Sequence, residues 1–334
     1  MIDKTEYNIV KNWKSRGKPL LSCCCITYNH EKFISQAIDG MLIQETNFPF
    51  EIILHDDAST DGTVEIIKKY AEKYPNIIRT ILQKENQYSK KRNIMAIPIK
   101  EAKGQYIASL EGDDYWIDPL KLQKQVEFLE NNSDYVCCYH NSMVVDDNNK
   151  VVRDTFIGGP KDYSKNELLA TGTDITTHSV VFRNVIEYPD DLTGIPFGDM
   201  VRWHLMGFYG KAKYLDNVGK AAYRKHEKGV WSNLDSFSRF EKTVFTKQRI
   251  KGNLVKHQLP TDEIDNNIDR YVSRVLTEAL FNGNIFRYQK ILVYIIKNHD
   301  LLFRKIYRIH LLQIWHRVVR KLSSIMKNIF GTTL

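Results

Sequence analysis

The sequence predicts an α/β fold built on a mainly parallel sheet and extended at its C-terminal end by helices. Three observations carry this expectation. From Pro19 onward, short apolar runs alternate with amphipathic segments. That is the spacing of βαβ units, in which a helix carries the chain back so that successive strands lie parallel. Acidic, turn-forming clusters close two of the apolar runs, at His55 to Thr63 and at Glu111 to Asp114. From about Ser236 the apolar residues recur at helical spacing almost throughout.

Residues 1–18 carry charges throughout and lack the apolar stretch of a signal peptide, so they read as an N-terminal arm. "LLSCCCITY" is a buried strand, and "EKFISQAIDGMLIQ" places Phe33, Ile34, Ala37, Ile38, Met41 and Leu42 at helical spacing. "FEIILHD" is a second strand, "GTVEIIKKYAEKY" a second helix with Ile66, Ile67, Tyr70, Ala71 and Tyr74 inward, and "NIIRTILQ" a third strand. "KKRNIMAIPIKEAKG" contains a helix that Pro98 interrupts, and "QYIASLEG" is the fourth strand. A helix follows Leu120 to about Asn131. Then "DYVCCYHNSMVV" reads as one strand, residues 146–175 are polar and turn-rich, and "DITTHSVVFR" is strand-like. Residues 19–235 thus form the principal domain and 236–334 a helical region, with no internal repeat and no low-complexity tract.

A chain of 334 residues with 43% hydrophobic content supports one large core and an appendage. Its five cysteines fall as Cys23-Cys24-Cys25 and Cys137-Cys138. Neighbours on a strand face opposite sides and cannot bridge without strain, and C-x-x-C spacing is missing, so they read as reduced, buried residues of a cytosolic protein. The formal charge of +8 is concentrated in residues 300–334, where Arg304, Lys305, Arg308, Arg317, Arg320, Lys321 and Lys327 face the single acid Asp300. A basic excess this local marks a surface patch and argues against a nucleic-acid-binding protein. No run of about 20 apolar residues suggests a membrane span. Wound at about 100° per residue, residues 310–330 place Trp315, Phe330 and the aliphatic residues on one arc and the bases on the other. This is the pattern of a helix lying in an anionic membrane surface, with packing against other helices or a second subunit as the alternative. The first reading puts the protein in the cytoplasm, peripheral on the inner face of the cell membrane.

Glu111, Asp113 and Asp114 crowd three acids into four residues at a strand end. They repel one another unless a cation sits between them, and hard carboxylate oxygens suit Mg²⁺ or Mn²⁺, which in turn hold a diphosphate. The alternative is a solvated turn with an aspartate capping the next helix. Asp56 and Asp57 raise a second possibility, since a carboxylate fixed at a strand end can accept a hydrogen bond from an imide N–H such as that of uracil. Turn chemistry is again the alternative, with Thr60 or Asp61 as helix cap and Gly62 easing the bend. Ligands of parallel sheets bind beyond the C-terminal strand ends, so both clusters are expected on one rim.

In their order and spacing, "CITYNHEKFISQAI", "EIILHDDASTDGT", "KKRN", "GQYIASLEGDDYWIDPLKLQKQ" and "FGDM" resemble the successive motifs of the family-2 inverting glycosyltransferases, over roughly Pro19 to Asn233. The resemblance implies the GT-A fold, which is Rossmann-like. It also implies transfer of a hexosyl or N-acetylhexosaminyl group from a nucleotide sugar, UDP-linked, with Mn²⁺ or Mg²⁺. The acceptor would be a glycan or lipid-linked sugar of surface polysaccharide synthesis. Carried over by position, it implies that Thr27 and Asp57 contact the base and that Arg92 lies near the nucleotide. Asp113 would face ribose or metal, and Asp114 would coordinate the metal. Asp199, in "PFGDMVRW", matches the general base that takes the acceptor hydroxyl proton, its alternative being a helix N-cap. "YRKHEKGVW" resembles a segment closing over the diphosphate, which makes His226 a candidate for metal or phosphate contact. Two departures stand out: Glu111 replaces the usual aspartate, and Ala58 a frequent glycine. Tyr115 and Trp116 suit either stacking on a sugar or packing beneath the acidic loop, and His178 either the acceptor side or the core. The same acidic rim would also serve a nucleotidyltransferase or phosphatase, or a nucleotide- or glycan-binding module without turnover.

Overall fold

In chain order the elements are α1 (Glu6–Val10), β1 (Leu21–Thr27), α2 (Ile34–Leu42), β2 (Phe50–Asp56), α3 (Thr63–Lys73), β3 (Ile78–Leu82), α4 (Ala96–Lys100), β4 (Tyr106–Glu111), α5 (Lys121–Asn131), β5 (Tyr135–Tyr139), β6 (Ser142–Val145) and β7 (Val151–Arg153). There follow α6 (Lys165–Leu169), β8 (Val181–Arg183), α7 (Gly198–Gly207), β9 (Lys211–Tyr214), β10 (Ala221–Arg224), α8 (Ser236–Lys256), α9 (Asp262–Phe281) and α10 (Ile285–Asn298). This computed structural model describes residues 4–15, 17–155, 161–227, 229, 234–282 and 284–298, so the amphipathic segment 310–330 lies outside the described residues. The larger of two units draws on Met1–Leu234 and Glu241–Ile264, the smaller on Asp235–Phe240 and Asp265–Leu334.

The main sheet has the order β3-β2-β1-β4-β8-β5-β9, and β10-β6-β7 form a second, smaller sheet. In the main sheet only β8 runs against its neighbours, so the sheet is mostly parallel, as the alternation of strand and helix predicts. Alternation along β1 sorts the cysteines as expected. Cys23 and Cys25 pack with Ile34, Ile38 and Met41 of α2 and with Leu122 and Val126 of α5. Cys24 enters the opposite layer with Ile53, Ile107, Met95 and Val201. All five thiols are free and buried. Burial of each large apolar side chain in these layers contributes about 1.5–3 kcal/mol. In the smaller unit Phe240 stacks on Tyr271 at 6.1 Å. No described helix is long and apolar enough to cross a membrane.

Four local expectations need correction. "DYVCCYHNSMVV" is two strands: β5 ends its pairing at Tyr139 with Tyr214, while Ser142 pairs with Ala221 in the other sheet. The Asn141 carboxamide oxygen takes the Ser142 N–H at 2.8 Å, a local bond that turns the chain out of the first sheet. In "DITTHSVVFR" only Val181–Arg183 is strand, and Thr177–Ser179 is a 3₁₀ turn. Its flanking Thr176 hydroxyl donates to Ser179 Oγ at 2.9 Å, again favouring a turn. The cap of α3 is Gly62, not Thr60 or Asp61. Asp61 nevertheless accepts the Thr63 N–H at 3.1 Å from just before the helix. Pro98 sits in the first turn of the short α4, where its missing N–H has no helical partner to lose.

Ala58 has φ 64°, in the left-handed region that glycine adopts without steric cost. Ala58→Gly should therefore stabilise the protein by about 0.5–1 kcal/mol, read as a higher urea midpoint with an unchanged slope.

Candidate active site

The parallel register sets three strand ends level. Thr27 of β1 lies beside Asp56 of β2, and Ile26 beside both His55 and Glu111 of β4. Both acidic clusters therefore stand on one rim. Backbone bonds fasten them to β1: Asp57 N–H donates to the Thr27 carbonyl at 2.9 Å and Gly112 N–H to that of Ile26 at 2.8 Å. A Cβ on Gly112 would stand 2.6 Å from Thr27 Oγ1 and 3.1 Å from His30 Nδ1. Only glycine lets the acidic loop approach β1 this closely.

Glu111, Asp113 and Asp114 bring carboxylate oxygens within 4.8 Å of one another, and His30, Asp113 and His226 do the same with their ligand atoms. Asp113 Oδ2 is 2.9 Å from His226 Nε2 and 3.8 Å from His30 Nε2. Burial raises the Asp113 pKa, but His30 and His226 more than offset this and hold it below the usual carboxylate range. Asp114 is 1% exposed. Its Oδ1 accepts the Arg224 backbone N–H at 2.8 Å, while Oδ2 lies 2.8 Å from His178 Nδ1 without an aligned hydrogen bond. Burial and then Asp113 push Asp114 well above its ordinary range. Glu111 is pushed up to about 8 by burial, then by Asp113 and Asp114, with Asp199 adding to the effect. An orphaned, buried carboxylate oxygen among mutually repelling acids, with two imidazoles at hand, fits a divalent cation of the Mn²⁺ or Mg²⁺ kind.

The other residues singled out from sequence take the following positions. Thr27 is buried, with Oγ1 3.1 Å from His30 Nδ1. Asp57 is buried as well: its two oxygens accept the Gln87 and Tyr88 backbone N–H groups at 2.7 and 3.0 Å, fastening the loop that carries Arg92. Arg92 itself is exposed. Asp199 is half-buried in the first turn of α7, whose cap is Phe197, so it is not the helix N-cap. Tyr115 and Trp116 pack beneath the acidic loop. Tyr115 bridges to Ala222, and the Trp116 indole donates to the His178 carbonyl at 2.7 Å with Lys121 Nζ 4.3 Å from its ring centre. His178 is a core residue on the 3₁₀ turn, 2.7 Å from Ser142 Oγ and pushed down to about 4 by burial, hence neutral.

Two residues escaped the sequence reading. His30 has a signal in hindsight, a histidine three residues beyond Thr27 at the same strand end. Arg224 has none, because it reads as one base in a solvated run. It is 2% exposed, and its guanidinium donates to Gln36 Oε1 at 2.7 Å, to Asn149 Oδ1 and the Asp113 carbonyl at 2.9 Å, and to the Asp146 carbonyl at 3.0 Å. The rings of Phe33 and Tyr115 lie 4.6 and 5.4 Å from it. Arg224→Met should cost about 3 kcal/mol in urea unfolding, since a buried charged donor and its hydrogen bonds to several half-buried acceptors are lost together.

Known proteins resemble this chain in sequence and in fold. Glycosyl transferase family 2 matches residues 22–188, half of the chain. An uncharacterized protein of Mycobacterium tuberculosis strain H37Rv is 38% identical over 218 residues, covering 63% of this chain but 60% of that protein. Among solved structures, Staphylococcus aureus TarS 1-349 in complex with UDP superimposes with a TM-score of 0.53 at 18% identity, over 79% of this chain and 73% of that one. The Pyrobaculum calidifontis mannosyltransferase PcManGT in complex with GDP-Man and Mn²⁺ gives 0.53 at 14% identity, over 98% and 94%. These two share the fold. By the extent of the family match, carried on a GT-A-like sheet with its acidic rim, the chain belongs to glycosyl transferase family 2.

Proposed function

We propose that the protein is a metal-dependent inverting glycosyltransferase that moves a sugar from a nucleoside diphosphate, UDP in the first instance, to a glycan or lipid-linked acceptor of surface polysaccharide synthesis. The observation that carries this is the cluster of half-buried Glu111, Asp113 and His30 with buried Asp114 and His226, whose electrostatic surroundings include Asp199. The structural neighbours bound to UDP, or to GDP-Man with Mn²⁺, support a nucleotide-sugar donor and a divalent cation.

Asp113, Asp114 and His226 would hold the cation, which when bound supplies positive charge for the departing diphosphate. Thr27 and Asp57 contact the base, Asp57 through the lone pairs its two backbone bonds leave free. Arg92, on the loop that Asp57 fastens, adds positive charge beside the nucleotide. Asp199 accepts the proton of the acceptor hydroxyl as its oxygen attacks the anomeric carbon, and a single displacement inverts that centre. Residues 19–235 would carry this chemistry, with 236–334 as an appended region. Peripheral attachment to the inner face of the membrane through 310–330 belongs to the same proposal and rests on sequence pattern alone.

Asp199→Asn should lower transfer by about 10²–10⁴-fold with donor affinity nearly unchanged, measured by nucleoside diphosphate release and by titration calorimetry. Asp113→Asn should weaken Mn²⁺ and donor binding together. EDTA should abolish transfer and added Mn²⁺ restore it. Full activity of Asp199→Asn in a folded protein, or activity indifferent to EDTA, would overturn the mechanism.

A further inference from the structure

Helix α7 holds a buried cation that the proposed chemistry leaves unused. Arg202, one turn beyond Asp199, is 2% exposed, and its Nε and Nη1 are enclosed with no hydrogen-bond partner among the described residues. The ring of the adjoining Trp203 lies 5.1 Å from the guanidinium. A guanidinium stays charged at any working pH and presents a planar fork of N–H donors, so burying it unpaired is costly and calls for an acceptor. The Tyr188 hydroxyl is a second enclosed polar group without a partner.

Both groups belong to the neighbourhood of Asp199. Burial raises the Tyr188 phenol to about 12, with Arg202 pulling it down and Asp199 pushing it up. Residues three apart on a helix share a face, which sets Arg202 beneath Asp199. Gly198, in the preceding turn of that face, abuts the Asn93 carboxamide, 3.2 Å from where a Cβ would stand. Asn93 follows Arg92 on the loop fastened by Asp57. The unpaired guanidinium thus belongs to the helix face that carries Gly198 and Asp199, with the Tyr188 phenol and the buried Cys24 in its surroundings.

We infer that Arg202 and Tyr188 recognise a carboxylate on the donor sugar, so that the sugar transferred is a uronic acid. A carboxylate matches the guanidinium fork with two oxygens and neutralises its charge, leaving lone pairs that can accept from the phenol O–H. A neutral hexose offers only hydroxyls and leaves the charge uncompensated. The inference rests on the nucleotide-sugar reading above.

The test is titration calorimetry in Mn²⁺ with matched probes: UDP-glucose against UDP-glucuronate, GDP-mannose against GDP-mannuronate, and UDP and GDP alone. The uronate of one pair should bind about tenfold or more tighter than its neutral partner. That ratio should fall toward one in Arg202→Gln and severalfold in Tyr188→Phe, with melting temperatures confirming that the variants are folded. A wild-type ratio near one, with the free nucleotide still binding, overturns the assignment and leaves the donor reading standing, whatever the variants do. No binding by any nucleotide overturns both.

Discussion

The crowding of three carboxylates at the end of β4 is the constraint on which the rest of the active-site architecture depends. Two like charges about 5 Å apart repel by about 3 kcal/mol in a partly shielded protein environment, and here three share a space whose oxygens lie within 4.8 Å. The fold holds them together by covalent and backbone means. Level parallel strands deliver Glu111 and Asp56 to one rim, the absent side chain of Gly112 lets the loop close onto β1, and the Arg224 backbone N–H fixes Asp114 from the other side. Burial raises the pKa of both Glu111 and Asp114, which favours their neutral forms and eases the repulsion.

This gives the small second sheet a purpose. Strand β10 ends in Arg224 and is followed by His226, so one short element delivers the guanidinium that ties α2 to the acidic loop and the imidazole that touches Asp113. Pairing with β6 and the bridge from Ala222 to Tyr115 hold β10 in place. Tyr115 and Trp116 serve the same end from below, as packing under the loop and not as a platform for sugar.

What the sequence made legible was local or periodic. Cysteine neighbours on opposite faces of β1, the buried face of α2, and two acidic clusters on one rim follow from the two-residue period of strands, the helical period and the parallel connection. What it hid was long-range. Arg224 meets Gln36 across 188 positions and Asp114 across 110, and no spacing rule reaches that far. The anchoring of Asp57 was hidden as well, because the amides it accepts belong to residues 87 and 88, in a loop with no pattern of its own. The strand break at Asn141 and the turn at His178 were missed for another reason: short side chains bond their own backbone or one another there, and apolar neighbours mask the signal.

The most direct measurement of the central claim is anomalous diffraction from crystals of the protein grown with Mn²⁺ and a nucleoside diphosphate. The account predicts a manganese peak bonded to Asp113, Asp114 and His226, with phosphate oxygens completing its coordination. A nucleotide on the rim with no manganese peak there, or a peak bound by other residues, would contradict it.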